Sequence, residues 1–205
     1  MSAGQLARHR SGSSGARPAI NRAATPIDPR TNNVDFEPCA ATGSTFLFAQ
    51  GSTIICLQHD TLAVERKFES HKKQVLLISV DNVSETGAGR LVFSYDADFT
   101  VYVWDIFTGS EIAKFMAYEQ VRVAAWMKNG DVAFGRIKLS GYRKTGTNVG
   151  LAGNPQGTVV IFTPSHGEHK STRTIYDPIT AIAPAWDCQT YAIGSVSVAA
   201  FLAYG

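Results

Sequence analysis

The side chains in this 205-residue chain that could do chemistry are few and scattered. Asp96, Asp98 and Asp105 fall close together, and neighbouring carboxylates could trade protons as acid and base. Each one also borders a strand-like run, where aspartate commonly serves the turn, so a structural role is expected. His166 and His169 make an HxxH pair with Glu168 between them. Two imidazoles and an acid could begin a metal site, but no third ligand lies near in sequence, so a solvated turn is the expectation. Cys39, Cys56 and Cys188 are an odd number without a CxxC pairing, which points to reduced thiols rather than a disulfide framework or a zinc site. Neither G-x-S-x-G, a P-loop, a dinucleotide fingerprint nor HExxH occurs. The expectation is therefore no catalytic residue, no metal and no other cofactor.

The elements that must position these residues read as strands. Leu91–Phe115, LVFSYDADFTVYVWDIFTGSEIAKF, holds two alternating runs joined by a turn and a third short run after Thr108-Gly109. Upstream, Phe46–Gln50 and Thr53–Gln58 are short strands about a Gly51-Ser52 hairpin, and Leu62–Phe68 is a third. A weak strand near Glu37–Ala40 completes that group. Val75–Val80 is almost continuously apolar, as a strand buried on both faces should be. Asp81–Gly89 reads as a polar loop, and its Asn82-Val83-Ser84 as plain loop rather than a glycosylation site. Further on come Val121–Met127, Asp131–Gly135, Thr158–Phe162 and Ser171–Tyr176, then Ile179–Trp186 and Thr190–Gly194. The apolar tail Ser195–Gly205 could be one more strand or translated read-through.

Within the central stretch, Ser94, Asp98 and Trp104 fit the spacing S-x-x-x-D-x-T-V-x-V-W-D, which resembles a blade of the WD-repeat β-propeller family. Ser70-His71, upstream, stands where that family usually carries Gly-His. The resemblance implies a structural tetrad of His71, Ser94, Asp98 and Trp104. A buried aspartate needs a donor, and imidazole can relay between it, a hydroxyl and an indole N–H. The implied fold is all-β: a partial, open β-propeller of about three to four four-stranded blades behind a disordered N-terminal tail.

Residues 1–33 are rich in Ser, Gly, Ala, Arg and Pro, with five arginines against the single acid Asp28. Such a segment buries too little apolar surface to order itself; a mitochondrial transit peptide is the rival reading. Residues 34–205 form the propeller part. Residues 136–153 (RIKLSGYRKTGTNVGLAG) break its period between two hairpin partners. Either a surface loop or translated intron would account for them, since ACTAAC can encode Thr147-Asn148 and a CAG acceptor fits within Leu151–Gly153. Roughly 154 residues remain, room for between three and four repeats of about 40–45 residues. That count makes the chain look like the N-terminal half of a propeller.

Composition narrows function without assigning it. A hydrophobic share of 44%, a charged share of 18% and a net charge of +2 are ordinary for a globular domain and favour no nucleic-acid partner. Aromatics are spread singly, so base stacking is unsupported. No apolar run approaches the roughly twenty residues that span a bilayer, and none follows the N-terminal arginines as a secretory signal would require. A cytoplasmic protein is expected, with nucleus or mitochondrion as alternatives. The resemblance implies a non-catalytic scaffold that binds other proteins, with Lys72, Lys73, Gln120 and Arg122 beside strand starts as contact positions. Two alternatives stay open at this point. One is a quinoprotein-like enzymatic propeller; the other is a nonfunctional fragment of a mispredicted gene.

Overall fold

Runs of Val, Ile, Phe, Tyr and Thr punctuated by Gly, Asp and Asn yield fifteen strands among the described residues. The structure is a computed structural model that describes residues 38–138, 156–175, 177–187, 190–195 and 199–203. The tail expected over residues 1–33 and most of the segment at 136–153 lie outside the described residues, as does Cys188. No helix of the described residues is long and apolar enough to cross a membrane.

Every sheet is an antiparallel meander in sequence order. The first comprises β1 (Cys39–Ala41), β2 (Thr45–Gln50), β3 (Thr53–Gln58) and β4 (Val64–Phe68). The second holds β5 (Val75–Val80), β6 (Leu91–Asp96), β7 (Thr100–Asp105) and β8 (Glu111–Met116). The third holds β9 (Gln120–Trp126), β10 (Val132–Lys138), β11 (Gln156–Thr163) and β12 (Glu168–Ile175). A three-stranded fourth sheet contains β13 (Ile179–Pro184), β14 (Thr190–Ser195) and β15 (Ala199–Ala203). The leading strands β1, β5, β9 and β13 pack successively on one another, so they form the inner wall of a fan of blades. Among the described residues this is an open propeller, all-β and without barrel closure.

Period-two alternation explains how each blade serves two neighbours. On the second blade, Val92, Tyr102 and Trp104 face the first sheet and pack with Leu47, Ile54, Cys56 and Phe68. The intervening Phe93, Tyr95, Val101 and Val103 face the third sheet and meet Trp126, Phe134 and Phe162. A further cluster joins the third and fourth sheets through Met127, Val159, Ile161, Ile179 and Tyr191. Each fully buried aliphatic side chain in such an interface contributes about 1.5–3 kcal/mol of transfer free energy, so the blades are held chiefly by these apolar layers. Directional bonds add register: the Trp126 indole donates to Ser79 O at 3.0 Å, and Ser79 Oγ donates to Ala124 O at 3.1 Å. Both link the second blade to the third.

Of the boundaries that differ from the sequence reading, two have a local physical reason. The strand expected over Leu62–Phe68 starts at Val64, because Leu62 turns to φ 54° with its N–H on Gln58 O. The break expected at 136 begins later. β10 continues through Arg136, Ile137 and Lys138, which pair with Thr158, Gly157 and Gln156 across a bulge at Gly135/Arg136 on the β9 side. Ile137 is buried, which keeps the chain in the sheet for three residues past the expected breakpoint. The third and fourth blades approach closely at Gly157: a Cβ there would run into the Asp177 carbonyl and Ile179.

Candidate functional site: a buried relay and the turn it holds

His71 follows β4 in the segment that leads into β5, so it is presented to the face of the second blade that looks toward the first. Ser94 sits on that face because it is two residues from Val92 on β6, and Trp104 reaches it from β7. His71 Nε2 lies 2.8 Å from Ser94 Oγ, and the Trp104 indole donates to the same Oγ at 2.8 Å. His71 Nδ1 lies 2.8 Å from a carboxylate, and that carboxylate is Asp96.

The acid expected from spacing was Asp98, and here the structure differs. Asp96 is the last residue of β6 and shares the parity of Ser94, so its side chain points into the same buried layer. Asp98 lies two residues further, past the strand end, with its side chain exposed in the turn. It takes part through its backbone alone, donating N–H to Asp96 Oδ1 at 3.0 Å. The structure thus brings together His71, Ser94 and Trp104, and puts Asp96 where Asp98 was expected.

One proton arrangement satisfies every member. Indole is donor-only, so it occupies a lone pair of Ser94 Oγ; the serine hydroxyl then donates to His71 Nε2, and Nδ1–H donates to Asp96. Connectivity of this kind, serine to imidazole to aspartate, is also that of a nucleophilic relay. Here Ser94, His71 and Asp96 are all buried and the hydroxyl oxygen is already engaged by indole, so no substrate reaches Oγ. What the set does chemically is lock side chains. Rings reinforce it: Tyr102 meets His71 edge-on at 4.6 Å and stacks on Trp104 at 4.8 Å, while Tyr102 Oη donates to Ser70 O.

Asp96 faces two ways. Its Oδ2 takes the imidazole, while Oδ1 accepts the N–H of Asp98 and of Thr100 at 2.9 Å, and its carbonyl accepts the Phe99 N–H. Burial alone would raise its pKa, but the His71, Thr100 and Asp98 donors outweigh that and hold it below the ordinary carboxylate value. Asp105 behaves similarly: burial pushes it up, while Arg90 and the N–H groups of Thr108 and Phe107 bring it lower.

The turn clamped by Asp96 carries Phe99 at φ 64°, and the Phe99 carbonyl in turn accepts the Ala117 N–H at 2.8 Å. Next to Ala117 stands Tyr118, at φ 59°. A bulky residue in the left-handed region costs about 1–3 kcal/mol and persists only where its surroundings over-determine it. Two such aromatics thus rim one surface, Phe99 being 41% and Tyr118 79% exposed. Between them, on the side facing the third blade, is a groove of about 520 Å³ lined by Leu76, Tyr95, Glu119 and Ile137 among others.

The expected contact positions divide around this turn. Gln120 is half-buried and lines the groove. Lys72 is exposed and lines a second depression with Asp96, Thr100 and Lys114, so both depressions share the β6–β7 turn. Lys73 and Arg122 are exposed and line neither. His166 and His169 diverge: His166 Nδ1 is 2.9 Å from Ser165 Oγ, whereas the His169 ring packs on Phe115 and Phe162. No group of three metal-ligating side chains occurs among the described residues. Phe99, Tyr118 and Glu119 were not singled out from sequence. An aromatic where a turn would favour glycine was the signal for Phe99; nothing local marked the other two.

No family model and no curated protein matches the chain by sequence. Solved structures do match in shape. The computationally designed Ika4 protein superposes with a TM-score of 0.61 at 18% identity, over 82% of this chain and 89% of that one. The designed Ika8 protein gives 0.61 at 17% identity, over 81% of this chain but 45% of its own. The WD40 β-propeller domain of Doa1 gives 0.54 at 19% identity, over 77% of this chain and 46% of that chain. The chain therefore spans about half the length of two of these and most of the third. At such identities the likeness establishes the fold alone.

Proposed function

We propose that this propeller is a non-catalytic scaffold that binds other proteins. The observation that carries the reading is the pair of exposed, strained aromatics held over a groove by a buried hydrogen-bond relay. Rigid aromatics presented at low entropic cost suit protein recognition, and the conformational strain is the kind retained for a site rather than for stability. The only Ser–His–Asp relay among the described residues is spent on structure, which also favours binding over hydrolysis. Lys72 and Arg122 supply exposed positive charge on the blades that form the groove.

The test pairs two surface variants with the parent chain as bait in quantitative affinity capture. One is Lys72→Glu with Arg122→Glu; the other is Phe99→Gly with Tyr118→Ser. Loss of the same captured proteins by either variant, with unchanged circular dichroism, supports the scaffold reading. Identical capture by all three baits contradicts it.

A further inference from the structure

The β9–β10 hairpin turns through Lys128, Asn129 and Gly130, and Asn129-Gly130 is the one Asn-Gly pair in the chain. The turn closes through Gly130 N–H on Met127 O at 2.9 Å and Met127 N–H on Asp131 O at 2.8 Å, with Gly130 at φ 84°. Asn129 is exposed, yet both ends of its amide are held by Asp131. Its Nδ2 donates to Asp131 Oδ2 at 2.9 Å, and its Oδ1 accepts the Asp131 N–H at 3.2 Å. Asp131 is buried just before β10. Its carboxylate also accepts Thr163 Oγ1 at 2.6 Å from the end of β11 and Lys170 Nζ at 2.9 Å from β12. An amide at the hairpin tip thus completes a network that ties β10, β11 and β12 together.

In an Asn-Gly pair the backbone readily attacks the asparagine side chain, because no Cβ shields the glycine nitrogen. We propose that Asn129 is a spontaneous deamidation site, gated by the Asp131 network and disruptive to that network once it has reacted. The Gly130 nitrogen bonds to Asn129 Cγ, the Cγ–Nδ2 bond breaks, and Nδ2 leaves as ammonia carrying the proton from Gly130. Water then opens the five-membered imide at either carbonyl and leaves an aspartyl or isoaspartyl residue, with no change of oxidation state. In the closed turn the attacking N–H is engaged by Met127 O and the amide is pinned on Asp131. Reaction therefore waits for the hairpin tip to open. Asp131 takes a donor from position 129 on Oδ2 and an acceptor on its N–H; an amide offers both, a carboxylate only the second. Deamidation replaces a 2.9 Å hydrogen bond by two like charges across the same gap. The isoaspartyl product also adds a backbone carbon inside a tight turn. Each opening thus carries a chance of irreversible loosening, and the tip records how often the third blade has opened.

The full chain is incubated in mildly alkaline buffer with and without urea, and peptide mass spectrometry separates amide, aspartyl and isoaspartyl forms at position 129. Conversion in the folded parent should be slower than in urea by about tenfold or more. Asp131→Asn, which trades a charge-assisted hydrogen bond for a neutral one, should speed conversion in the folded chain about fivefold. Thr163→Val keeps the carboxylate and removes one tie to it, so it should speed conversion less and stands in if Asp131→Asn does not fold. Asn129→Asp supplies the product directly. It should lower Tm and accelerate hydrogen exchange in β10 and β12 more than Asn129→Ala does, since repulsion adds to the lost donor. Equal rates in the folded parent, the Asp131 or Thr163 variant and urea would overturn the gate. Absence of conversion even in urea would overturn the site, and Asn129→Asp as stable as the parent would overturn the effect assigned to its product.

Discussion

Replacing Asp96 by alanine should destabilise the protein far more than the same change at Asp98, although the two are neighbours in one turn. Asp96 is buried and accepts three hydrogen bonds, from His71 Nδ1 and from the N–H groups of Asp98 and Thr100. Removing it strands the wholly buried imidazole N–H, at about 1–3 kcal/mol. The two backbone donors are only part-buried, so water can reach them, and each should add about 0.5–1.5 kcal/mol. The sum is about 2–6 kcal/mol, in line with the cost of breaking a buried pair. For a domain of this size that corresponds to a fall in Tm of roughly 4–24 °C, centred near 12 °C. Asp98 is exposed and contributes its backbone, so Asp98→Ala should stay within about 0.5 kcal/mol of the parent. Urea titrations followed by tryptophan fluorescence, with parallel thermal melts, measure both. Equal losses, or a larger loss for Asp98→Ala, would refute the assignment of the buried acid.

Other expectations follow from the same geometry. Asp96 and Asp105 have pKa values below the ordinary 3.8, so their stabilisation is complete above that value and lost as pH falls through their folded-state pKa. The stability gap between parent and Asp96→Asn should therefore be constant near neutrality and narrow as acid titrates the parent below about pH 4; a gap that widens there would be inconsistent. Gly157→Ala drives a methyl against the Asp177 carbonyl and Ile179 and should cost about 1–3 kcal/mol. Hydrogen exchange should then accelerate in β13 and β14 and leave β6 and β7 unchanged. Burial, helped by Glu65 and opposed by Arg66, pushes the Cys56 thiol to about 12, while Cys39 is exposed. Iodoacetamide at pH 8 should label Cys39 in the folded protein and Cys56 only in urea, as peptide mass spectrometry would report.

Much of the fold was legible because strand periodicity is local. Val75–Val80 is almost continuously apolar for the physical reason that an inner strand has two buried faces, and it occupies β5 residue for residue. Gly51 supplies the positive φ of the hairpin it was expected to make. The tetrad's histidine, serine and tryptophan were readable from a spacing, and its acid was not. Spacing counts residues, whereas the layer that receives the imidazole is set by where alternation stops, and it stops at Asp96. The pair Ser94-x-Asp96, two apart and thus on one face, held the signal. Arg136–Lys138 illustrate the converse: basic residues looked like the start of a break, yet buried Ile137 kept them in the sheet. The groove was beyond local reading altogether. It depends on Tyr95 and Glu119 meeting across two blades and on backbone angles at Phe99 and Tyr118 that their residue types disfavour.

The central claim is that His71 bridges Ser94 and Asp96 and that this bridge holds the turn bearing Phe99. Long-range ¹H–¹⁵N correlation spectra of the His71 ring address it directly. The account requires a proton on Nδ1, a bare Nε2, slow solvent exchange of both that proton and the Trp104 indole N–H, and loss of this protection in Asp96→Asn with its retention in Asp98→Asn. A proton on Nε2 of neutral His71, or rapid exchange of both protons in the parent chain, would contradict it.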